Sequence, residues 1–532
     1  MERVRFQKVA SLSELETRGR MVVKLDGKQI VLFKGEQGVH ACNNRCPHEG
    51  YPLVEGKISE DHDTGHCVLT CNWHNWKFDL ESGDTLVGGD SLRRYPVKLD
   101  GDAILLDLTD PPAEEGIEKA LTNLKDSFRL HQYDRMAREI ARLEKSGGDP
   151  LEAVRRSIHW THDHLEYGMG HAYAATADWI DLRTRYGGVD PAFGLVSVLE
   201  PVGHMAWDGL RHPAYPYPNE VRPFDAEALV EAIEEEDEKA AIAIVRGGLA
   251  HGLGWDAFEA PLARAALAHY AGFGHAAIYV MKVGQLVAQL GGGVLEPLLL
   301  SLTRLLVYSS REDLIPEFRG YAPALKAWDG KGVERAHWQD FVGLSVNRAL
   351  DQCNQASSNV AALYDALLGV LSWNMLYFDE SLGIQTEKSV TYNVNWLDFT
   401  HGLTFANAVR GICGRYPELW PQGLLQMACF AGRNAAYLDK DFNAEPWLVN
   451  DPDAFLRLEE EGLFDHGEFE FIISCHKVKV TAALRAEYEH NPGADWVQLA
   501  FAAVNRYLHS PMKRRHALRT AKQSLNFVRA EG

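Results

Sequence analysis

The sequence of 532 residues has no long uninterrupted apolar stretch. Its best apolar run, 294–308, contains Glu296 and Arg304 and falls short of the roughly 20 apolar residues that a membrane-spanning helix needs. The first eight residues also lack the apolar segment of a secretory signal. We therefore expect no membrane partner and a cytoplasmic location.

Basic residues are too few to balance the acidic ones. The chain has 54 lysines and arginines against 74 aspartates and glutamates, a formal charge of −20. This much negative charge repels phosphate backbones, so nucleic acid is not an expected partner. Hydrophobic residues at 46% and charged residues at 24% are otherwise typical of a globular protein.

Cysteine is also scarce, with eight residues in the chain. A chain of this length has ample apolar surface to bury, so we expect it to fold without the support of disulfides. Four of them lie between positions 42 and 71, and the others are scattered through sequence of helical character. Only the first group indicates chemistry.

The hydrophobic pattern changes once along the chain. From 22 to 108, short alternating runs separated by Asp-Gly and Ser-Gly-Asp turns predict strands. Two prolines and three acids then interrupt the pattern, after which the apolar spacing is helical. We predict a small all-β domain at 1–108, a linker at 109–120 and a large all-α domain at 121–532. Its predicted helical stretches include 151–183, 257–290, 399–414 and 470–489.

Two Cys-and-His pairs stand out in the β region. Cys46-Pro-His48 is followed, after 22 residues, by Cys71-Asn-Trp-His74. Two thiolates on one iron and two imidazoles on the other form a Rieske-type [2Fe-2S] centre. Two Cys and two His can also bind zinc, but this spacing is not that of zinc fingers.

The residues after the second pair, 75–79 (NWKFD), with Gly83 and 95–97 (YPV), make 1–108 resemble the Rieske domains of oxygenases and their ferredoxins. Rieske proteins of quinol-oxidising complexes carry an extra cysteine after each pair, and this chain does not. The resemblance thus implies a low-potential cluster. The 22-residue gap is longer than usual in the family and predicts an insertion at 60–65 in a surface loop.

Histidines in the helical region indicate a second metal, because His is the commonest ligand of non-haem iron. His476 and Lys479 are three residues apart and therefore share a helix face. Burial would keep the Lys479 amine neutral, and a neutral amine can add carbon dioxide to become a carbamate. This pair could then supply a nitrogen and an oxygen ligand.

The helical region resembles the questin-oxidase-like family of helical oxygenases, which use iron held by several histidines and a carboxylated lysine. The resemblance rests on His476 with Lys479 and on 163–165 (DHL), 272–278 (GFGHAAI) and 400–404 (THGLT). It implies a non-haem Fe(II) held by His164, His275, His401, His476 and Lys479. His162 or His171 could take the place of His164, since 164 and 171 are seven apart, on one stripe of a helix.

Two other iron schemes fit parts of the sequence. A site of two His and one Asp would use Asp398 and His401, but position 406, where the second His should stand, is Ala. A di-iron site would use two Glu-x-x-His pairs. The pairs with that spacing, Glu334/His337 and Glu487/His490, adjoin turn sequences, which disfavours a site buried in a helix bundle.

Together these features predict an oxygenase in which the cluster passes electrons to the helical-domain iron. An NAD(P)H-dependent flavin reductase or a ferredoxin would be the electron donor. The iron would activate O2 to hydroxylate or cleave a small organic substrate, aromatic or polyketide-like. One alternative is a non-catalytic Rieske electron-transfer protein whose helical domain docks partners. Another is a hydrolase metal centre with the cluster as a redox sensor. Whether the chain forms a homo-oligomer stays open.

Overall fold

The computed structural model describes residues 6–385, 393–511 and 517–531. The chain divides into two compact units, Met1–Pro150 and Leu151–Gly532. The first contains all the strands of the described residues and the second is helical, so the predicted fold class is confirmed. Within the described ranges, no helix is both long and apolar enough to cross a bilayer.

Ten short strands of the first unit form three antiparallel sheets, ordered β1-β10-β9, β2-β3-β4 and β5-β6-β7-β8. The strands are β1 Phe6–Ser11, β2 Arg20–Leu25, β3 Lys28–Gly35, β4 Gly38–Asn43, β5 Lys57–Glu60, β6 Cys67–Thr70, β7 Lys77–Asp79, β8 Thr85–Val87, β9 Val97–Asp100 and β10 Ala103–Asp107. The helix α1, Leu12–Arg18, follows β1. The predicted insertion at 60–65 falls at the tip of the β5–β6 hairpin, where the Asp61 N–H donates to the His66 carbonyl.

Strand β3 is buried on both faces and separates two apolar cores. Because successive side chains of a strand point to opposite sides, Ile30 and Leu32 pack into one core while Val31 and Phe33 pack into the other. The second of these cores also contains Cys46 and Cys71. The cluster motif therefore rests on well-packed apolar side chains.

Two helices complete the first unit, α2 (Ala113–Arg129) and α3 (Tyr133–Lys145), and they pack against each other. The compact unit thus ends at Pro150, beyond the predicted domain boundary at 108. The predicted linker 109–120 also differs from the structure, since α2 begins at Ala113. Glu114 and Glu115 in its first turn favour this helix start, because acidic side chains interact favourably with the positive end of the helix dipole.

The second unit contains the remaining α-helices of the described residues. They are α4 Leu151–Thr161, α5 His171–Tyr186, α6 Pro191–Gly209, α7 Ala226–Glu234, α8 Glu238–Ala250, α9 Trp255–Ala268, α10 His275–Leu290, α11 Leu295–Tyr308, α12 Tyr321–Ala327, α13 Val346–Gln355, α14 Val360–Leu376, α15 Ser381–Ile384, α16 Trp396–Arg415, α17 Trp420–Asn434, α18 Pro452–Gly462, α19 Phe471–His490, α20 Val497–His509 and α21 Ala517–Ala530.

Four of these helices form a closed ring. Helix α5 packs on α10, α10 on α16, α16 on α19, and α19 on α5. Each is buried over much of its length. Side chains from facing helices of such a bundle can converge on one point, which is how metal sites in helix bundles are built.

Candidate metal centres

Two loops of the first unit carry the predicted cluster ligands, and both close in the same way. In each loop, the N–H of the cysteine donates to the carbonyl of the residue five positions later in the chain. The N–H of the residue four positions after the cysteine donates to the cysteine carbonyl. These bonds join Cys46 to Tyr51 (2.9 Å), Gly50 to Cys46 (2.8 Å), Cys71 to Trp76 (2.8 Å) and Asn75 to Cys71 (3.0 Å). The fourth residue has a left-handed backbone in both loops, with φ of +76° at Gly50 and +59° at Asn75. Gly and Asn adopt this conformation most readily.

The paired loops place sulfur inside and imidazole outside. Cys46 and Cys71 are buried and free of disulfides, and their side chains are in hydrogen-bond contact. The rings of His48 and His74 lie 4.7 Å apart between centroids, with side chains 28% and 41% exposed. Two adjacent thiols and two adjacent imidazoles are the donor set that a Rieske [2Fe-2S] cluster requires.

Backbone amides prepare one of the sulfurs for a metal. Burial raises the pKa of the Cys46 thiol to about 11, while hydrogen bonds from the His48 and Glu49 N–H groups to its sulfur act in the opposite direction. Because a thiolate is the metal ligand, these donors would stabilise the negative sulfur of a loaded cluster.

In the second unit, the ring of helices brings four imidazoles together. The helices α5, α10, α16 and α19 supply His171, His275, His401 and His476 respectively. The Nε2 of His275 lies 3.0 Å from that of His171 and 2.9 Å from that of His401. The Nε2 of His476 lies 3.4 Å from that of His401. Nitrogens that share one metal ion at about 2.0–2.1 Å lie about 3 Å from one another.

Hydrogen bonds fix the proton positions of three of these rings. The Nδ1 atoms of His275, His401 and His476 each face a backbone carbonyl, that of Gly272, Leu397 and Ile472. A carbonyl only accepts, so each Nδ1 carries the hydrogen, and the Nε2 of a neutral ring is then a lone pair. Burial lowers the pKa of all four histidines, that of His275 to about 4, and keeps them neutral.

The lone pairs of His275 and His401 therefore face each other at 2.9 Å with no hydrogen between them. Two acceptors at this distance repel unless a cation lies between them. Each Nδ1–carbonyl bond is the outer contact that commonly orients a metal-bound histidine. The donor set fits a metal ion that prefers imidazole nitrogen, such as iron.

Lys479 lies beside this histidine cluster on α19. It is buried, its Nζ has no hydrogen-bond partner, and its charge would act on all four imidazoles. Burial lowers the pKa of its amine. A buried amine without a partner suits the neutral form that carbamate formation needs.

His164, a predicted iron ligand, does not lie with the four histidines. The Nδ1 of His164 lies 3.0 Å from the His212 carbonyl oxygen, and its Nε2 lies 3.9 Å from Asp163. The physical reason is that the predicted helix 151–183 is interrupted: α4 ends at Thr161 and α5 begins at His171. His171 occupies the fourth position instead, and it was the alternative that the sequence left open.

Acidic residues of the two other iron schemes have structural roles. Asp398 caps the start of α16 by accepting the Asn395 N–H, and it pairs with Arg433. Glu487 accepts hydrogen bonds from Tyr364, Asn407 and Arg410, which occupy both of its oxygens. His337 is the N-cap of a short 3-10 helix.

Comparison with known proteins identifies the first unit. The family model of the Rieske [2Fe-2S] domain matches residues 5–93. The ferredoxin component of the alkene monooxygenase system of Xanthobacter autotrophicus is 30% identical over 114 residues, which cover 21% of this chain and 88% of that protein. The 4beta-methylsterol monooxygenase of Methylococcus capsulatus is 33% identical over 106 residues, covering 18% of this chain and 27% of that protein.

Among solved structures, the ferredoxin of carbazole 1,9a-dioxygenase from Nocardioides aromaticivorans is 24% identical with a TM-score of 0.17, covering 20% of this chain and 98% of that chain. A Rieske domain holds a [2Fe-2S] cluster, and this family assignment decides against zinc at the two Cys-and-His pairs. Through its N-terminal domain, the chain belongs to the Rieske [2Fe-2S] family.

Proposed function

We propose that this protein is an oxygenase in which a Rieske cluster supplies electrons to a mononuclear non-haem iron in the helical unit. One observation carries the proposal: three imidazoles with their Nδ1 atoms on carbonyls direct Nε2 lone pairs at one another in the ring of four helices. This is a preorganised nitrogen site that needs a cation. An iron bound at this site would be the acceptor for electrons from the [2Fe-2S] cluster of the first unit.

The residues that would hold the iron are His171, His275, His401, His476 and the carbamate of Lys479. An iron ion bound by these residues would supply the binding and reduction of O2. The carbonyls of Gly272, Leu397 and Ile472 hold three of the imidazoles in orientation through Nδ1. A carbamate on Lys479 would add negative charge to an otherwise neutral ligand set.

Aromatic side chains flank the histidine cluster. The Phe273 ring lies edge-on to His401 at 5.8 Å between centroids, and the Tyr279 ring lies edge-on to His171 at 6.2 Å. Such walls exclude water and favour an apolar organic substrate. We infer an aromatic or polyketide-like compound as the substrate class.

The exposed edges of His48 and His74 are the contact point for an electron donor in this scheme. The relatives of the first unit include a ferredoxin component and a monooxygenase. We therefore propose an NAD(P)H-dependent flavin reductase or a ferredoxin as the donor. The helical unit supplies the oxidising site, and hydroxylation and ring cleavage are both compatible with it.

The test is the iron content of the full chain, loaded with its cluster, in the wild type and in His401→Ala and His476→Ala. We expect the wild type to hold one iron beyond the two of the cluster. Each variant should lose that iron and keep the cluster spectrum. His164→Ala is the matched control, because His164 belongs to the same unit but lies outside the group of four histidines. This variant should retain all the iron.

Unchanged iron in His401→Ala and His476→Ala would remove both from the ligand set. A wild type saturated at the two cluster irons would leave a non-catalytic Rieske electron-transfer protein. Consumption of O2 that depends on a reductant separates the oxygenase from a hydrolase whose cluster is a redox sensor.

A further inference from the structure

A cavity of about 420 Å³ lies beside the cluster ligand His48 within the first unit. Its walls include the His48 and Trp76 rings, the backbone of Gly88 and Gly89, and the first turn of α3. The Trp76 indole stacks on the His48 imidazole, with ring centroids 4.4 Å apart. A molecule in this cavity would therefore lie next to a ligand of the [2Fe-2S] cluster.

The two glycines let these walls come together. Gly88 has a φ of +129°, and a Cβ built on it would lie 2.4 Å from Cδ2 of Trp76. A Cβ on Gly89 would lie 3.0 Å from Cδ of Arg135. Any larger residue would push the indole or the arginine away. The cavity is thus formed by close backbone contact and not by loose packing.

Positive charge surrounds the inner wall. Asp90, fully buried, pairs with Arg135 at 3.5 Å, Arg138 at 2.6 Å and Arg142 at 3.1 Å. The second buried carboxylate of this group, Glu139, pairs with Arg142. Three guanidinium groups thus share two buried carboxylates, which leaves an excess of positive charge. The carboxylate among the described cavity walls, Asp134, is exposed to solvent.

Arg135 contributes a guanidinium group to the cavity wall. Its side chain is only 9% exposed, and its Nε faces Oδ1 of Asp90 at 3.5 Å. Its Nη1 donates to Oε1 of Gln132 at 3.2 Å. A guanidinium group has five N–H donors and binds carboxylates and phosphates in its plane. These two contacts involve Nε and Nη1, and the other N–H groups of Arg135 are the kind of donor that an oxyanion in the cavity would accept from.

The start of α3 also favours an anion in the cavity. Gln132, the residue before the helix, provides no side-chain cap, and α3 has 13 residues. The N–H groups of a first helical turn and the helix dipole attract anions. Gln132 and the first three helical residues, Tyr133, Asp134 and Arg135, all line the cavity.

We propose that this cavity binds a small oxyanion, the carboxylate or phosphate group of a soluble compound, and that its occupancy tunes the [2Fe-2S] cluster. The anion would accept hydrogen bonds from Arg135, Arg138 and the first turn of α3. Its negative charge beside His48 disfavours addition of an electron and lowers the reduction potential of the cluster. The proposal depends on the Rieske domain alone and not on the proposed iron of the helical unit.

The test uses the full, cluster-loaded chain with inorganic phosphate as the probe, acetate as a second probe, and chloride at matched ionic strength. We expect phosphate, acetate or both to lower the midpoint potential in a saturable way, whereas chloride does not. The same oxyanion should relax faster in NMR when the cluster is reduced and carries an unpaired electron. A response to one probe alone identifies the preferred group.

Arg135→Gln and Arg138→Gln should each weaken binding roughly tenfold, because each removes hydrogen bonds from a charged donor. Arg142→Gln is the matched control, since it also pairs with Asp90 but does not line the cavity. It should weaken binding less than Arg135→Gln or Arg138→Gln, because it removes one charge of the network but no group that lines the cavity. If neither oxyanion shifts the potential or relaxes faster in the wild type, the proposal is wrong, whatever the stability of the variants. Equal losses in Arg142→Gln and Arg135→Gln would also contradict it.

Discussion

The amine of Lys479 is a buried polar group without a hydrogen-bond partner beside the histidine cluster. It is buried, its Nζ has no hydrogen-bond partner, and burial lowers its pKa. As an ammonium group, it would repel any cation held by the four imidazoles. As a carbamate, it would attract that cation and satisfy its own polar atoms. The electrostatics of this residue therefore favour modification when metal is bound.

Replacement of this lysine should weaken iron binding in the helical unit. We expect Lys479→Met to lower iron affinity at least tenfold, since even the outer contacts of metal ligands are worth roughly 10–100-fold. Wild-type iron uptake should increase when bicarbonate is added to CO2-free buffer, and uptake by the variant should not. Iron titrations with and without bicarbonate measure both effects.

Lys477→Met is the control for this change. It lies on the same helix, but its Nζ pairs with Glu468 at 2.5 Å. Its iron uptake should respond to bicarbonate as the wild type does. Uptake that is independent of bicarbonate in the wild type would speak against a carbamate and leave the histidines alone as ligands.

At single positions, the family resemblance predicts four of the five side chains that lie together in the helical unit. It points to His275, His401, His476 and Lys479, and the structure brings these residues together. His164 and His171 could not be separated, because a helical stripe relates residues seven apart only if the helix is unbroken. The turn at 162–170 is formed by packing between distant segments, such as that of Gly168 against α11. No local periodicity encodes it.

Among the elements, the break between α9 and α10 matters most for the site. The apolar spacing predicts a continuous helix over 257–290, but the 3-10 turn Gly272–Gly274 interrupts it. Gly272, Phe273 and Gly274 all have positive φ, of +55°, +55° and +81°. This turn makes His275 the first residue of α10 and brings the Gly272 carbonyl to its Nδ1. Apolar spacing continues across the break, which is why periodicity did not reveal it.

This turn can be tested with a single methyl group. In Gly274→Ala, a left-handed backbone would carry a Cβ only 2.8 Å from the Phe405 ring. We expect the turn to shift, His275 to move and the helical-unit iron to be lost, while the cluster spectrum stays unchanged. Iron analysis and absorbance spectra measure the two centres separately.

Gly291→Ala provides a matched comparison. Its φ is +85°, and a Cβ there meets no atom within 4 Å. It should lose roughly 1–3 kcal/mol of stability from backbone strain, because a φ of +85° with a ψ of 175° is a conformation that only glycine readily adopts, and it should keep its iron. Equal iron in both variants would show that the turn does not position His275.

For the whole molecule, the order of a β domain and a helical domain followed from the change in periodicity. The extent of the first unit could not be predicted from periodicity, because helices α2 and α3 have the same amphipathic pattern as the helices of the second unit. These helices belong to the first unit because the buried Asp90 pairs with Arg135, Arg138 and Arg142, which all lie on α3. An ion-pair network between distant segments has no signature in local spacing.

The Rieske domain should accordingly require its two helices. We expect a fragment of residues 1–150 to hold the cluster and unfold cooperatively. A fragment of residues 1–108 leaves Asp90 without its cations and should be less stable by a few kcal/mol. Denaturant unfolding of both fragments, followed by cluster absorbance, measures the difference. Equal stability would mean that α2 and α3 are dispensable to the domain.

We propose that the helical unit holds an iron of its own. Anomalous diffraction at the iron absorption edge, from crystals of the fully loaded chain, locates every iron in the molecule. We expect a peak apart from the [2Fe-2S] cluster, within ligand distance of the Nε2 atoms of His275, His401 and His476. Anomalous signal at Cys46, His48, Cys71 and His74 alone, in iron-saturated crystals, would contradict it.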